Sequence, residues 1–360
     1  MPTVFLAFRD APERRAALDA PQSLDRYRLF GLDEIAAHGA HVRHNLERRH
    51  VPLWARMAGA VLNRVVHALG GYGGDFASVL ASLRTANGAD VVLATNDTVG
   101  IPLVLLKRAG LLRAPLVYVA IGLPERLVQL HGRMRRLYAG AFRRAQTVVA
   151  YSEREAQWLR EWTGANVAFV PFGVDVDAFA PAAGGDVDVV SVGADPQRDF
   201  PLLREVAARR PELSFALVAG ADHARALGAL PANVALETNV PLERVRERLA
   251  EAKVVALPVR RNSYSGATTV LLQAMAMAKP VVVSRTDAIE RGYELEDGVN
   301  CRLVPPGDVD AFERALLDTL ADSTSLGARA RETVERSFSW QRYTDSLWEI
   351  LSAAWAHEAS

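Results

Sequence analysis

The chain has 360 residues, 50% of them hydrophobic, which is enough to bury two α/β cores of ordinary size. Its one cysteine, Cys301, excludes a disulfide framework and a cysteine-based metal cluster, and without a bilayer-length apolar run or a signal peptide we expect a cytoplasmic protein. The formal net charge of 0 conceals a basic first half, because residues 1–160 hold 22 Lys and Arg against 13 Asp and Glu, and the remainder holds 20 against 29.

The first half of the chain has the pattern of alternating strands and helices. Short apolar, β-branched runs predict strands at residues 3–8, 41–46, 90–95, 116–120 and 147–151, and helical patterns follow at 33–38, 77–84 and 101–109. Asn96 and Asp97 come after the third of these strands, and Gly122 comes after the fourth. Because α/β sheets place ligand groups at the carboxyl ends of their strands, these three residues are candidates for binding a ligand.

A strongly basic helix is predicted between Arg133 and Arg144. Its arginines stand among apolar residues, and the set is Arg133, Arg135, Arg136, Arg143 and Arg144 with Met134, Leu137, Tyr138 and Phe142. Such a helix either meets an anionic partner, for example a membrane face, or is a solvated face whose arginine stems cover apolar surface. Nucleic-acid binding is not expected, since no aromatic-rich basic surface or known module accompanies the helix.

The second half predicts another α/β array. Its strands are expected at residues 187–193, 214–219, 234–237, 254–258, 281–283 and 300–304, and a last helix is expected at 340–355. The first of these strands ends at Gly193, and Arg198 lies in the turn that follows.

The stretch from Val254 to Thr286 organises this second array. A short strand ends at Pro258, and residues 268–278 form a helix that is apolar on nearly every face and is therefore predicted to be buried against the sheet. Residues 262–267 combine capping residues with a glycine, which leaves the first-turn amides and the positive dipole end of that helix uncovered. With Arg260 and Arg261 at its rim, the stretch predicts a site for a phosphate or diphosphate.

No metal site is predicted. Asp-Val-Asp occurs at residues 175–177, 186–188 and 308–310, but these pairs stand at a hinge, a strand start and a helix start, where aspartate caps and solvates. No histidine or third acid is placed to complete a metal shell around them. A Walker loop, a Gly-x-Ser-x-Gly motif and a G-x-G-x-x-G after the first strand are also missing from the sequence.

Four segments resemble those of retaining GT-B glycosyltransferases of family 4. Residues 272–282, LQAMAMAKPVV, are similar to L-E-A-M-A-x-G-x-P-V-V, and residues 145–153, 167–175 and 303–308 are similar to A-D-x-V-x-x-x-S-E, the P-N-G-V-D hinge and L-V-P-P-G-D. Three departures from the pattern bear on the donor side. Ser265 and Gln273 stand where the family has two glutamates that face the donor sugar and the nucleotide ribose, and Ala278 replaces a glycine.

The resemblance implies an α/β protein with the GT-B fold, in which two Rossmann-like domains face each other across a cleft and the C-terminal helix crosses back to the first domain. Residues 1–172 with 340–360 correspond to an acceptor-binding domain, and residues 173–339 to a nucleotide-sugar donor-binding domain. The implied activity is transfer of a sugar from a nucleotide-diphosphate-sugar to an acceptor hydroxyl, with retention and without a metal or cofactor. Two alternatives stay open: a nucleotide-sugar epimerase, and a GT-B protein that binds a nucleotide sugar without transfer.

The resemblance also assigns residues to the two substrates. The donor-binding candidates are Gly193, Arg198, Ser263, Tyr264, Ser265, Gly266, Ala267, Thr268, Thr269 and Gln273. Arg198 and Ser265 are the candidate catalytic residues, because a planar guanidinium suits bidentate binding of the donor diphosphate and the serine can hold a phosphate oxygen. Lys279 is expected to assist if its side chain turns inward, as is Arg260.

The acceptor side is implied less specifically. Asn96, Asp97 and Gly122 are the acceptor-side candidates, and the acceptor is expected to be a glycan, a lipid-linked sugar or a small molecule. Peripheral contact with an anionic membrane through Arg133–Arg144 is a further hypothesis, and with it a membrane-peripheral location.

Overall fold

The computed structural model describes residues 1–21, 23–181, 185–262, 264, 266–322 and 325–356. The chain divides into two compact units: an N-terminal unit of Met1–Val170 with Thr344–Ser360, and a C-terminal unit of Pro171–Tyr343. Each unit contains one six-stranded sheet.

The sheet of the N-terminal unit is entirely parallel. Its strands are β1 Thr3–Ala7, β2 His41–His44, β3 Val91–Ala94, β4 Leu116–Ala120, β5 Thr147–Ala150 and β6 Val167–Phe169. They pair in the order β2-β1-β3-β4-β5-β6. All residues of β3 and β4 are buried, as expected for central strands covered by helices on both faces.

Eight helices surround this sheet among the described residues. They are α1 Pro12–Asp19, α2 Leu32–Ala37, α3 Leu53–Ala68, α4 Phe76–Ala86, α5 Asp97–Arg108, α6 Leu123–Leu127, α7 Gly132–Phe142 and α8 Glu153–Thr163. The sequence pattern predicts no element for residues 47–69, whereas the structure has the 16 residues of α3 there. Short 3₁₀ helices at Leu24–Leu29 and Asn45–Glu47 complete the unit.

The sheet of the C-terminal unit is also parallel. Its strands are β7 Val187–Gly193, β8 Phe215–Ala219, β9 Val234–Thr238, β10 Ala252–Leu257, β11 Val281–Ser284 and β12 Arg302–Val304. They pair in the order β12-β11-β10-β7-β8-β9, so the chain winds outward from β7 in one direction and from β10 in the other. The carboxyl ends of β7 and β10 therefore flank the point where the strand order reverses, which is where open α/β sheets bind ligands.

The remaining helices follow the second sheet. They are α9 Phe200–Arg209, α10 Ala221–Leu227, α11 Leu242–Ala250, α12 Thr268–Ala276, α13 Asp287–Glu290, α14 Val309–Ala321, α15 Leu326–Ser337 and α16 Trp340–Ala356. The last helix begins in the C-terminal unit and continues into the N-terminal one. Two successive parallel strand-helix arrays confirm the predicted α/β class.

Helix α12 is buried as the sequence predicts, and its C-terminal end carries local strain. Seven of its nine residues are buried. After Met277, Ala278 adopts φ 54°, in the left-handed region, and its N–H donates to the carbonyl of Met275 at 3.0 Å. A residue with a Cβ is disfavoured in this conformation, which is why helices commonly end there with glycine.

Replacing Ala278 with glycine is expected to stabilise the C-terminal unit by about 0.5–1 kcal/mol, because the left-handed backbone loses its Cβ clash. Chemical denaturation midpoints measure the effect. Ala208→Gly, at an exposed position within α9, is the matched control and is expected to destabilise by up to about 1 kcal/mol. Equal destabilisation by both substitutions would contradict the strain at Ala278.

Candidate functional site

Two loops meet at the strand-order reversal of the second sheet, one after β7 and one after β10. The N–H of Asp199 donates to the carbonyl of Pro258 at 2.9 Å, and the N–H of Arg260 donates to the carbonyl of Gln197 at 2.8 Å. Arg198 and Val259 form an isolated antiparallel bridge between these two hydrogen bonds. The loops are thus held together as a short two-stranded ladder, which fixes the backbone of Arg198.

The side chain of Arg198 is buried at this reversal point. It is 1% exposed, its Nη2 donates to Ser191 Oγ at 3.2 Å, and its guanidinium lies 5.6 Å from the ring centroid of Phe200. Its Nε and Nη1 find no hydrogen-bond partner in the described part of the chain. Desolvation lowers the pKa of Arg198 to about 10, partly offset by Asp195, so the group keeps its charge at neutral pH.

Gly193 makes room for this guanidinium. A Cβ built on Gly193 would lie 2.5 Å from Arg198 Nε and 3.0 Å from its Cδ. Since no side chain can approach so closely, only glycine at the end of β7 permits the observed position of Arg198.

The first turn of α12 presents further unpartnered polar atoms. Its N-cap residue, Ala267, has no side chain that could accept the free amides of the first turn. Thr268 Oγ1 and Asn262 Oδ1 are buried and, among the described residues, have no hydrogen-bond partner. Arg198 and Thr268 supply donors without a partner, and Asn262 Oδ1 supplies an acceptor, all on the two loops at the strand-order reversal. We expect such a set of atoms in a site that binds an anion belonging to a larger polar ligand.

A hydrogen bond between two side chains also joins the same two loops. Tyr264 donates its hydroxyl to Asp195, with Oδ1 at 2.8 Å and Oδ2 at 2.7 Å. Asp195 also accepts the N–H of Gln197 at 2.8 Å, and its carbonyl lies 2.7 Å from His223 Nε2. A Cβ on Gly266 would lie 2.8 Å from Asp195 Oδ1, so glycine is needed for this approach.

The other donor-side candidates differ in position. Gln273 is 4% exposed in the middle of α12, and Thr269 is partly buried in its first turn. Ser263 and Ser265, the latter a candidate catalytic residue, lie outside the described residues.

The expectation that Lys279 assists the phosphate site is wrong. Its Nζ donates to the carbonyls of Ala250 at 2.6 Å and Ala252 at 3.1 Å. Ala252 is the first residue of β10, whereas Arg198 bridges Val259, two residues beyond the other end of that strand. The backbone positions that the two cations contact are therefore roughly 20 Å apart along the strand, at about 3.3 Å per residue. Arg260 does lie at the loop, but its Nε faces Asp199 Oδ1 at 3.7 Å and its side chain is 53% exposed.

The three ligand candidates of the N-terminal unit are occupied by internal hydrogen bonds. Asn96 caps α5, its Oδ1 accepting from Thr98 N at 3.1 Å. Asp97 is 5% exposed and its Oδ1 accepts from the hydroxyl of Tyr118 at 2.8 Å and from Ile121 N at 3.1 Å. Contact of these groups with an acceptor stays a prediction.

A second buried carboxyl, at Glu155, was not among the predicted site residues. Its Oε1 accepts from Gly122 N at 3.0 Å and from Leu123 N at 3.2 Å, so it caps α6 from the first turn of α8. Burial raises the pKa of Glu155 to about 8, with a further contribution from the charge of Asp97, and burial raises the pKa of Asp97 to about 6. The sequence signal was an ordinary first-turn acid, which gave no indication of this tertiary contact.

The basic helix α7 packs its aromatic residues inward and exposes its arginines, so contact with an anionic membrane stays a prediction. Its apolar residues Tyr138 and Phe142 are buried in the core, and the arginines are exposed. Arg135 lies 5.5 Å from the ring centroid of Trp162, and Arg143 donates to the carbonyl of Thr163 at 2.9 Å.

Two absences hold for the residues that the structure describes. No group of three or more His, Cys, Asp or Glu side chains is arranged to hold a metal ion. No helix combines the length and apolar character needed to cross a bilayer.

Comparison with known proteins assigns the part of the chain that contains this site. Residues 197–322, which begin beside Arg198 and include α12, match the family Glycosyl transferases group 1. This segment is similar to group 1 glycosyltransferase domains. The departures at Gln273 and Ala278 therefore lie inside the matched segment.

Relatives and solved structures agree with this assignment. The chain is 28% identical over 211 residues to the lipopolysaccharide core biosynthesis glycosyltransferase LpsE of Rhizobium meliloti, covering 56% of this chain and 59% of LpsE. It is 29% identical over 210 residues to the phosphatidyl-myo-inositol mannosyltransferase of Mycolicibacterium smegmatis, covering 53% of each. The chain thus spans little more than half the length of the curated relatives it matches.

Several solved structures are similar over nearly the whole chain, and two of them illustrate the likeness. They are sucrose-phosphate synthase from Thermosynechococcus elongatus, with a TM-score of 0.73, 18% identity and 100% of both chains covered, and Anabaena HepE in complex with UDP and glucose, with a TM-score of 0.68, 18% identity and 98% and 100% covered. At this identity the likeness concerns the fold alone, and it confirms the predicted GT-B fold class.

The raised pKa of Glu155 predicts how stability depends on pH. Between its ordinary pKa of 4.5 and about 8, the unfolded chain has lost this proton while the folded chain keeps it, so stability falls as pH rises through that window. Glu155→Gln retains an acceptor oxygen and is expected to flatten this decline, raising stability at pH 8 relative to wild type. Denaturation midpoints at pH 5, 6, 7 and 8 measure the slope.

Glu153→Gln, at an exposed position in the same helical turn, is the control and is expected to keep the wild-type slope. An identical pH dependence in all three proteins would show that Glu155 ionises normally in the folded chain.

Proposed function

We propose that the protein is a glycosyltransferase that moves a sugar from a nucleotide-diphosphate-sugar to an acceptor hydroxyl, with retention of configuration. The observation that carries this proposal is the buried guanidinium of Arg198, whose Nε and Nη1 are unpartnered among the described residues and which is held at a strand-order reversal inside the segment that matches group 1. A buried cation with free donors calls for an anionic ligand, and the diphosphate of a nucleotide sugar supplies one.

The proposed mechanism uses this cation on the leaving group. As the glycosidic bond breaks, negative charge develops on the departing nucleoside diphosphate. Arg198 and the uncapped amides before and in the first turn of α12 are fixed donors that stabilise this charge more strongly in the transition state than in the ground state. The proposal gives Gln273 a contact with the nucleotide ribose and leaves the role of Ser265 as a prediction.

The similar proteins support a nucleotide sugar as donor and a glycan or lipid-linked sugar as acceptor. The structure of HepE contains UDP and glucose, which agrees with a nucleotide sugar as donor. LpsE is named for lipopolysaccharide core biosynthesis and the mannosyltransferase for phosphatidyl-myo-inositol, which agrees with a lipid-linked or glycan acceptor. We propose that the N-terminal unit receives the acceptor near Asn96, Asp97 and Gly122, and that the protein acts in the cytoplasm.

Two other functions would use the same donor site. A nucleotide-sugar epimerase would convert the donor without an acceptor, and a non-catalytic protein would bind the donor and release it unchanged. Gln273 stands where the family has a glutamate, and this difference favours the non-catalytic protein as the second candidate. Thermal stabilisation by a panel of nucleotide sugars identifies the donor, and product analysis with and without added acceptors separates the three activities.

Arg198→Ala is expected to lower the turnover number by about two to three orders of magnitude, the range observed when one fixed donor to a developing anion is lost. Gln273→Ala is expected mainly to weaken donor binding, because it removes a contact that is equal in the ground and transition states. Gly193→Ala tests the same cation without deleting it, since the added Cβ must displace the guanidinium. Steady-state kinetics with the identified donor measure all three variants.

The control is Arg225→Ala, an exposed arginine of α10 in the same unit, which is expected to leave the kinetics unchanged. Unfolding temperatures establish that each variant is folded. If the folded Arg198→Ala variant keeps wild-type turnover and wild-type donor affinity, the proposed mechanism is wrong.

Transfer is expected to proceed without a divalent cation, because Arg198 and the helix amides neutralise the leaving diphosphate. Activity after exhaustive treatment with EDTA is expected to match the untreated enzyme. Loss of activity in EDTA that magnesium restores would instead assign the charge on the leaving group to a metal ion.

A further inference from the structure

An unusual concentration of exposed apolar side chains lies on helix α3 of the N-terminal unit. Of the ten large hydrophobic residues that are exposed in the described chain, six belong to this helix or to the residue that ends it. They are Leu53 at 69%, Trp54 at 59%, Met57 at 64%, Val61 at 61%, Val65 at 49% and Leu69 at 61% exposed. Clusters of this kind mark interaction sites, whereas single exposed apolar residues are ordinary.

These residues form one stripe along the helix, hereafter the α3 stripe. Trp54, Met57, Val61, Val65 and Leu69 follow each other at intervals of three or four residues, which places them on a common helical face. The stripe runs the full length of α3, from the first turn to the C-cap.

The opposite face of α3 is already packed, so the stripe cannot turn inward. Ala55 and Gly59 are buried, and a Cβ on Gly59 would lie 2.7 Å from the backbone nitrogen of Ala77 at the start of α4. Asn63 donates to the carbonyl of Gly74 at 2.8 Å and accepts its N–H at 3.0 Å. This close backbone contact and the paired hydrogen bonds fix which face of α3 points to solvent.

The charges around the stripe have a single sign. Residues 48–74 contain no aspartate or glutamate. The segment does contain basic residues that are all exposed, namely Arg48, Arg49, His50, Arg56, Arg64 and His67. At about 100° per residue Arg64 stands next to Met57 at the edge of the stripe, and Arg48, Arg49 and His50 precede its tryptophan end. Cations that flank an apolar face with a tryptophan at one end are the pattern of a helix that lies in the plane of a membrane interface.

We propose that α3 is a peripheral membrane-binding element that inserts its apolar stripe among the acyl chains of an anionic bilayer while Arg64 and the basic residues just before the helix contact the lipid phosphates. A second copy of the chain is a poorer occupant, because a symmetric contact between two stripes would bring these like charges together. An anionic bilayer instead neutralises these charges and covers the apolar residues at once.

This proposal moves the membrane contact away from helix α7. Although α7 is more basic, its large aromatic residues Tyr138 and Phe142 are buried, so it has charge but no comparable exposed apolar stripe. Attraction of a few exposed arginines to a charged surface is weakened by salt, whereas insertion of apolar side chains is not. The membrane contact of α3 does not depend on the proposed sugar transfer, since lipid binding is measured without a donor or an acceptor.

The test is co-sedimentation of the full chain with vesicles of phosphatidylcholine alone and of phosphatidylcholine with phosphatidylglycerol. We expect wild type to bind the anionic vesicles and to retain part of this binding at high salt. The variant Trp54→Ser/Met57→Ser/Val61→Ser is expected to lose about tenfold or more of its partition coefficient, because its apolar insertion is removed. Circular dichroism and unfolding temperature check that the exposed substitutions leave the fold intact.

Two charge variants each remove two exposed arginines, one pair beside the α3 stripe and one pair on α7. Arg49→Gln/Arg64→Gln is expected to weaken binding to anionic vesicles several-fold, and Arg133→Gln/Arg136→Gln on α7 is expected to leave it near the wild-type value. Wild-type binding by the triple serine variant, or loss of binding only in the α7 variant, would overturn the proposal. A different pair of results would also overturn it. If wild type is a dimer in sedimentation velocity, the serine variant is a monomer and neither protein binds vesicles, then the stripe is covered by a second copy of the chain.

Discussion

Arg198 brings a guanidinium charge into the interior of the C-terminal unit and leaves two of its nitrogens without a partner among the described residues. An unsatisfied buried donor costs about 1–3 kcal/mol, and more when it is charged. The surroundings accommodate this cost in specific ways. Gly193 clears the space, the ring of Phe200 lies against the cation, and the ladder between the two loops prevents the arginine from swinging out to water.

The rest of the site depends on the same constraint. Helix α12 is buried along most of its surface, so its first turn cannot shift to satisfy Thr268 by itself. Asp195 and Tyr264 tie the loop before Arg198 to the loop before α12, which couples the two halves of the anion site. A ligand that supplies the missing acceptors therefore finds donors that are already in place, and little reorganisation accompanies binding.

Local sequence patterns were sufficient for eleven of the twelve strands in the described part of the chain and for the buried helix α12, whereas β6 at Val167–Phe169 was not predicted. The run from Val254 to Thr286 combines a β-branched strand, a uniformly apolar helix and a second strand, and only a buried parallel array satisfies all three. The same run lies inside residues 197–322, the segment that matches Glycosyl transferases group 1.

The features of the site that local sequence patterns did not predict depend on tertiary contacts. A first-turn glutamate usually faces solvent, and nothing local indicates that Glu155 reaches the amides of Gly122 and Leu123. Likewise, Lys279 resembles a free cation until the carbonyls of Ala250 and Ala252 are seen beside it. The stripe on α3 went unrecognised for a related reason, since apolar periodicity does not tell which face of a helix is covered.

The contacts of Glu155 have a consequence for calorimetry. Near pH 7 the folded chain holds a proton on this carboxyl that the unfolded chain releases, so unfolding liberates about one proton per molecule from this site. The buffer takes up that proton and contributes its own heat of ionisation to the measured enthalpy. This site therefore contributes about the difference between the ionisation heats of phosphate and Tris to the difference between unfolding enthalpies recorded in those two buffers at one pH and temperature.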